Sequence, residues 1–329
     1  MPMRSDASLL LIDAAAVREV LRPQEVLAAV RESFSLHSRG DGRGFPVVRE
    51  QLPTGGVFGI KSGDVPSQGL LGFKAAGFWP DNRKCGGEPH QVVGRRAEHR
   101  LDPDTGRPLC MIDGNAITTA RTGAAGGVGL QLLARPDSRH VCVFGSGVQA
   151  RVQLDTALGV MPGIVSVSYL TGGGEPDSGF EAHFAARCEL AHEADADAAV
   201  AASDIVITAT PGFGPLFSVA AVRPGTHINC VGTDTRGKRE LPDGLLETAR
   251  VFVDDAGQAQ AIGECQWTPA TPRVEIGDLV TGKAVAARLA RDVTVFDMTG
   301  LALQDLAVAR LVHRQVLTRG LGTTVAWPW

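Results

Sequence analysis

The stretch His140–Gln153, HVCVFGSGVQARVQ, constrains the fold more than any other part of the chain. Val141–Phe144 is a short apolar run that reads as a buried strand. It leads directly into Gly145-Ser146-Gly147, and a helical pattern starts at Val148. Gly145, Gly147 and Ala150 stand in G-x-G-x-x-A spacing. In that spacing the first glycine permits a tight turn, the second lets backbone approach a pyrophosphate, and the small third residue keeps the helix close to the strand. The helix N-terminus then offers N–H groups to the anion. Gly145, Ser146, Gly147, Val148 and Gln149 are therefore the expected dinucleotide contacts. Such a pattern is specific only in its strand–helix context. Glycine is abundant, with 40 residues, so an ordinary βα turn is the competing reading.

The segments after this turn repeat the same alternation. Val165–Leu170 reads as a second strand and Phe180–His192 as a helix. Asp204–Thr210, DIVITAT, is a buried strand, and His227–Gly232, Val251–Asp254 and Val293–Phe296 are further ones. Strands alternating with helices on this scale predict a doubly wound parallel sheet, a Rossmann-type α/β domain. Thr210 and Gly232 close two of these strands and join the expected cofactor contacts. Gly172-Gly173-Gly174 is a loop after the second strand.

The segment before the glycine turn has a different rhythm. Ala14–Leu21 and Gln24–His37 carry apolar residues at helical spacing, with Pro23 suited to a helix start. Leu9–Ile12 reads as an early strand. Phe45–Glu50, Gly56–Lys61 and Leu70–Phe78 are short runs flanked by Gly or Pro, which predict a mixed or antiparallel sheet. Asp102–Gly106 is a turn, Pro108–Asp113 a strand, and Ala116–Ala134 a helix despite its glycines. The last helix, Leu301–Arg319, lies beyond the parallel sheet and is expected to pack back onto this first, smaller α+β domain.

A length of 329 residues suits about two domains. The expected division is 1–122, 123–298 and 299–329, the last segment returning to the first domain. The net charge of −4 gives no general pull toward nucleic acid or an anionic membrane. The six cysteines, Cys85, Cys110, Cys142, Cys188, Cys230 and Cys265, form no CxxC pair, so a reducing cytoplasm is the simpler setting. Leu9–Ile12 is far too short to span a bilayer. His90 and the other histidines lack metal-ligand spacing and read as solvated or core-satisfied, and no metal is expected.

Five stretches together resemble the ornithine cyclodeaminase/mu-crystallin family. They are Gly72-Phe73-Lys74 with Pro80 and Asn82; Ala120-Arg121-Thr122; Phe144–Ala150; His227–Asp234 running into Gly237-Lys238-Arg239-Glu240-Leu241; and Val295–Gly300 followed by Leu303-Gln304-Asp305. The resemblance covers most of the chain. It implies a Rossmann domain inserted in a substrate and dimerisation domain, hence a homodimer, and a nicotinamide cofactor acting on an amino acid or its imine.

Lys74 lies in an apolar strand, LLGFKAAGFW, where desolvation suits a lysine to proton transfer, although an edge lysine reaching water is the alternative. The family places its catalytic lysine here. Arg121 can grip a carboxylate in bidentate fashion or form a surface ion pair. The family uses the matching arginine for the substrate's α-carboxylate, with Thr122 near the cofactor phosphates. Arg49 is a second candidate for that carboxylate. Asp234, at the end of a parallel strand, stands where ligands bind in open sheets, or else forms a turn before Gly237. The family's proton-transferring aspartate matches it, and it counts as both a catalytic and a cofactor-side residue. Lys61 departs from the ornithine cyclodeaminases, which place a glutamate there for the distal ammonium of ornithine. A lysine repels a diamino acid and favours a second carboxylate, unless it points to the other face of its strand.

These residues predict an NAD(P)H-dependent reductase of α-imino acids, with an imino-dicarboxylate such as iminosuccinate as the specific expectation. A cyclodeaminase-type lyase with bound NAD and a non-catalytic, crystallin-like binding protein are the alternatives. The second strand ends in Tyr169-Leu170-Thr171-Gly172, without the acid expected for an NAD ribose. Thr171 and the N–H groups of Gly172–Gly174 can accept a phosphate, so the cofactor expectation leans to NADP.

Overall fold

The computed structural model describes residues 7–79 and 97–327. Pro80, Asn82, Cys85 and His90 lie outside them. The chain divides into two compact units, Met1–Arg121 with Leu301–Trp329, and Thr122–Gly300.

The first unit is an antiparallel-rich sheet with helices. Its strands are β1 (Ala7–Ile12), β2 (Arg43–Gly44), β3 (Val48–Gln51), β4 (Val57–Val65), β5 (Leu70–Phe78), β6 (Ala97–Leu101), β7 (Pro108–Asp113) and β16 (Thr323–Trp327). Their order is β16-β1-β7-β6-β5-β4-β2, with β3 also paired to β4. Of the run expected at Phe45–Glu50, Val48–Glu50 lies in β3, and β2 ends just before the run begins. Pro46 lies between them, and a proline cannot donate to a ladder. Helices α1 (Ala14–Val20) and α2 (Pro23–Arg39) follow β1. Pro23 occupies the first turn of α2, and Gly40 ends the helix in the left-handed region at φ 75°. Val26, Val30 and Phe34 form the buried stripe of α2. Burying each stabilises the fold by about 1.5–3 kcal/mol.

Helix α10 (Ala302–Arg319) packs on α2, β4 and β5. Its first eight residues are all buried, Gln304 and Asp305 among them. A helix buried all round must satisfy its polar side chains internally.

The second unit is an eight-stranded, wholly parallel sheet. Its strands are β8 (His140–Phe144), β9 (Ser166–Leu170), β10 (Glu189–His192), β11 (Ile205–Thr208), β12 (His227–Cys230), β13 (Arg250–Val253), β14 (Arg273–Glu275) and β15 (Thr294–Asp297). The order β10-β9-β8-β11-β12-β15-β13-β14 is doubly wound. It reverses direction between β8 and β11, and open α/β sheets bind ligands at such a switch point. Both faces are apolar. Val141 and Val143 enter one core with Tyr169, Phe180 and Ile207, while Cys142 and Phe144 enter the other with Val206 and Ile228.

The helices of this unit are α4 (Val148–Val160), α5 (Ser178–Phe184), α6 (Ala196–Ala201), α7 (Leu245–Thr248), α8 (Ala256–Ile262) and α9 (Ile276–Thr281). Helix α3 (Gly114–Leu133) crosses the boundary between the units. Its glycines allow close packing: a Cβ on Gly129 would stand 2.5 Å from the Phe296 ring. The helix expected over Phe180–His192 ends at Phe184, and Glu189–His192 is instead β10, paired in parallel with β9. His227 is a core-satisfied histidine. Its ring nitrogens lie 2.9 Å from Thr294 Oγ1 and 2.9 Å from Asn229 Oδ1, and burial pushes its pKa down to about 3.

Among the described residues, no helix is long and apolar enough to cross a membrane, and no group of His, Cys, Asp or Glu is arranged to hold a metal ion.

Candidate active site

The first unit gathers its expected site residues on one sheet face. Lys61 pairs directly with Lys74 across β4 and β5, and Arg49 pairs with Gly59 across β3 and β4. Strand side chains alternate with a period of two, so Arg49, Lys61 and Lys74 share a face. Lys74 is buried and Lys61 half-buried, while Arg49 is exposed. Lys61 thus stands on the same sheet face as Lys74.

Lys74 does not reach water as an edge lysine. Its Nζ lies 2.6 Å from Asp305 Oδ2. The other carboxylate oxygen, Oδ1, accepts a hydrogen bond from Arg121 Nε at 2.9 Å, and Arg121 Nη1 donates to Gln304 Oε1 at 3.0 Å. Asp305 is 1% exposed. Burial alone would push its carboxyl up. The cations Arg121 and Lys74, with a further contribution from Lys61, hold it below the usual carboxylate range. Gln304 and Asp305 carry no expected role from sequence, although both stand in one of the stretches that bear the resemblance. Their partners are far away in the chain, so only the fold assigns them.

In the second unit the glycine turn follows β8 as expected. Gly145 has φ 105°, and a Cβ there would lie 2.8 Å from Ala209 O. Among the described residues, nothing lies within 4 Å of the position a Cβ on Gly147 would take, and no side chain caps the N-terminus of α4. Gln149 Oε1 is buried without a hydrogen-bond partner among the described residues. An uncapped helix start beside open glycine backbone and an orphaned amide oxygen fits a dinucleotide.

The neighbouring loops are tied to this turn. Arg151 Nε donates to Ser146 O at 3.1 Å, and its Nη2 donates to Asp177 Oδ1 at 3.2 Å. Thr171 Oγ1 donates to Glu175 O at 2.7 Å. Thr122 O accepts from Gln153 Nε2 at 2.8 Å. Thr210 and Gly232 both bond to Glu240. Asp234, in the loop after β12, pairs with Lys238, whose Nζ lies 3.2 Å from Oδ1. That loop is strapped by Gln266 Oε1, which accepts from Gly237 N at 2.8 Å, and by Trp267 Nε1, which donates to Lys238 O at 3.0 Å.

Residues 9–320 match the ornithine cyclodeaminase/mu-crystallin family. The chain belongs to that family. It is 33% identical to the iminosuccinate reductase of Paracoccus denitrificans over 96% of its own length and 99% of that protein's. The structure of that reductase in complex with NAD+ superposes with a TM-score of 0.88. An archaeal alanine dehydrogenase, a dimer with bound NAD, superposes with a TM-score of 0.90 at 28% identity, covering 97% of this chain and 99% of the other. The Δ(1)-pyrroline-2-carboxylate reductase of Thermococcus litoralis, in complex with NADH and L-proline, gives a TM-score of 0.87 at 26% identity, covering 96% and 100%.

Proposed function

We propose that this chain is an NAD(P)H-dependent oxidoreductase that reduces α-imino acids to amino acids. The observation that carries the reading is the buried cluster of Lys74, Asp305 and Arg121, two cations on one carboxylate. Residues 1–122 and 299–329 would serve the substrate, and residues 123–298 the cofactor. Bound NAD(P)H supplies the hydride.

The chain's own groups do the rest. Arg121 is held at Nε by Asp305 and at Nη1 by Gln304, so the remaining Nη protons are the edge offered to the substrate's α-carboxylate. Lys74 and Asp234 move the protons that keep the imine electrophilic and release the amine. Asp305 fixes the position of Lys74, and Lys238 that of Asp234. Gly145, Ser146, Gly147, Val148 and Gln149 hold the pyrophosphate, with Thr122 beside it. The lean to NADP rests on the N–H groups of Gly172–Gly174, which would accept a 2′-phosphate beside Thr171 once the Thr171 hydroxyl gives up its bond to Glu175 O.

The substrate proposed is an imino-dicarboxylate of the iminosuccinate type. Lys61 supports it by placing a second ammonium on the face of Lys74, where a distal carboxylate is favoured and a distal ammonium repelled. Arg49, farther along the same face, is the alternative carboxylate ligand. A cytoplasmic homodimer completes the reading. Absorbance at 340 nm tests it, with oxaloacetate or pyruvate plus ammonium and with NADH or NADPH. Oxidation of neither cofactor by either substrate would overturn the assignment.

A further inference from the structure

Glu240 is a fully buried carboxylate that the reaction proposed above does not use. Its Oε1 accepts from Thr210 N at 2.7 Å and from Thr210 Oγ1 at 2.8 Å. Its Oε2 accepts from Thr208 Oγ1 at 2.7 Å and from Gly232 N at 3.0 Å. These four donors come from the ends of β11 and β12, which are adjacent parallel strands. Glu240 is itself anchored from behind, because its N–H donates to Glu264 Oε1 at 2.7 Å. Lys238 Nζ donates to Gly232 O at 3.0 Å, so Gly232 is held through both its N–H and its C=O. The fit admits no other residue at 232: a Cβ there would stand 2.4 Å from Glu240 Oε1 and 2.5 Å from Thr210 O.

This arrangement gives the two sides of the switch point opposite polarity. The glycine turn presents N–H donors. Thr210 has committed its single hydroxyl proton to Glu240, and Gly212 N donates to the same oxygen at 3.1 Å. Towards a ligand, Thr210 Oγ1 can therefore only accept. With a buried carboxylate behind it, that edge disfavours phosphate and suits hydroxyl or amide donors.

We propose that Glu240 is a positioning residue that reserves the Thr210–Gly232 edge for the ribose–nicotinamide half of the cofactor, leaving the pyrophosphate to the glycine turn. The proposal rests on the reading of the second unit as a nicotinamide dinucleotide site.

Glu240→Gln tests it, because the isosteric amide must turn its NH2 toward either Thr210 N or Gly232 N, and neither can accept. Binding of NADH and of NADPH is measured by fluorescence titration, and binding of ADP, which lacks the ribose–nicotinamide half, by calorimetry. The expected result is loss of about tenfold or more in affinity for whichever dinucleotide the wild type binds, since a hydrogen bond to a charged group contributes on that scale. ADP affinity should stay within about twofold, inside the spread of an unperturbed site. Thr210→Val removes the hydroxyl while Glu240 stays in place, and it decides the matter if Glu240→Gln does not fold. Unchanged dinucleotide affinity, or equal weakening of dinucleotide and ADP, would overturn the proposal. A wild type that binds neither NADH nor NADPH would instead overturn the dinucleotide reading beneath it.

Discussion

Lys61 and Lys74 stand directly opposite each other on β4 and β5. Like charges opposed across a strand pair are destabilising unless an anion lies between them or nearby. Asp305 answers Lys74 and feels Lys61 as well. One buried carboxylate thus faces three cations, Arg121 included, and an anionic substrate would balance the remainder. Lys61→Glu should reduce the preference for oxaloacetate plus ammonium over pyruvate plus ammonium by about ten- to a hundredfold, the scale of a charge-assisted contact. A ratio of kcat/KM values indifferent to the substitution would remove the dicarboxylate from the reading.

Asp305→Asn should strip both Lys74 and Arg121 of their buried counter-charge. Breaking a buried pair costs about 3–5 kcal/mol when one charge is left uncompensated. Loss of stability should therefore accompany loss of turnover. In the wild type the depressed carboxyl stabilises the fold above the usual aspartate range, near pH 4. That contribution disappears as the pH falls through the still lower folded value. Urea midpoints between pH 2 and 6 should show a steeper acid decline for the wild type than for Asp305→Asn.

Lys74→Ala and Asp234→Ala should each lower turnover by about a hundredfold or more while cofactor binding is kept, because general acid–base groups contribute about that much. Near-normal turnover in either variant would take that residue out of the proton transfers.

Arg121→Ala should raise KM for the imino acid more than it lowers kcat, if its remaining Nη protons meet the α-carboxylate. An unchanged KM would move the clamp to Arg49.

Glu264 and Asp297 predict a second pH effect of opposite sign. Burial raises both carboxyls to about 7. Asp297 Oδ1 has no hydrogen-bond partner among the described residues, which leaves its charge poorly solvated. Below about pH 4 these groups are protonated in both states; between there and about 7 only the folded chain keeps the protons, so their stabilisation is lost as the pH rises. Asp297→Asn should flatten the decline in urea midpoint between pH 5 and 8. A wild-type midpoint that rises through that interval would contradict the expected linkage.

The parallel sheet was legible because its signals are local. The glycine turn, the apolar runs of β8 and β11 and the spacing between them lie within short windows. β10 was not, since Glu189–His192 is a four-residue edge strand whose pattern blurs into the helical apolar spacing of Phe180 and Phe184. β16 was hidden for a different reason: it exists through pairing with β1 at the other end of the chain. In the candidate site, Lys74 and Arg121 could be singled out by residue type and resemblance. Asp305 could not be given a task, because the ion pair that defines it joins residues 184 positions apart in the case of Arg121. Glu240 was equally silent, as its meaning lies in four donors from two strands that only the sheet brings side by side.

The split first unit also fixes the order in which the protein can mature during synthesis. β1 leaves the ribosome long before β16, the strand that covers its outer edge. Residues 122–300 form a continuous unit that is complete before α10 emerges. Until α10 arrives, Lys74 and Arg121 have no Asp305 to pair with, and the β4–β5 face lacks its cover. Closure therefore waits on contacts between distant parts of the chain, the slow class of folding event. A nascent chain stalled before residue 301 would hold a finished dinucleotide fold and an unassembled charge cluster.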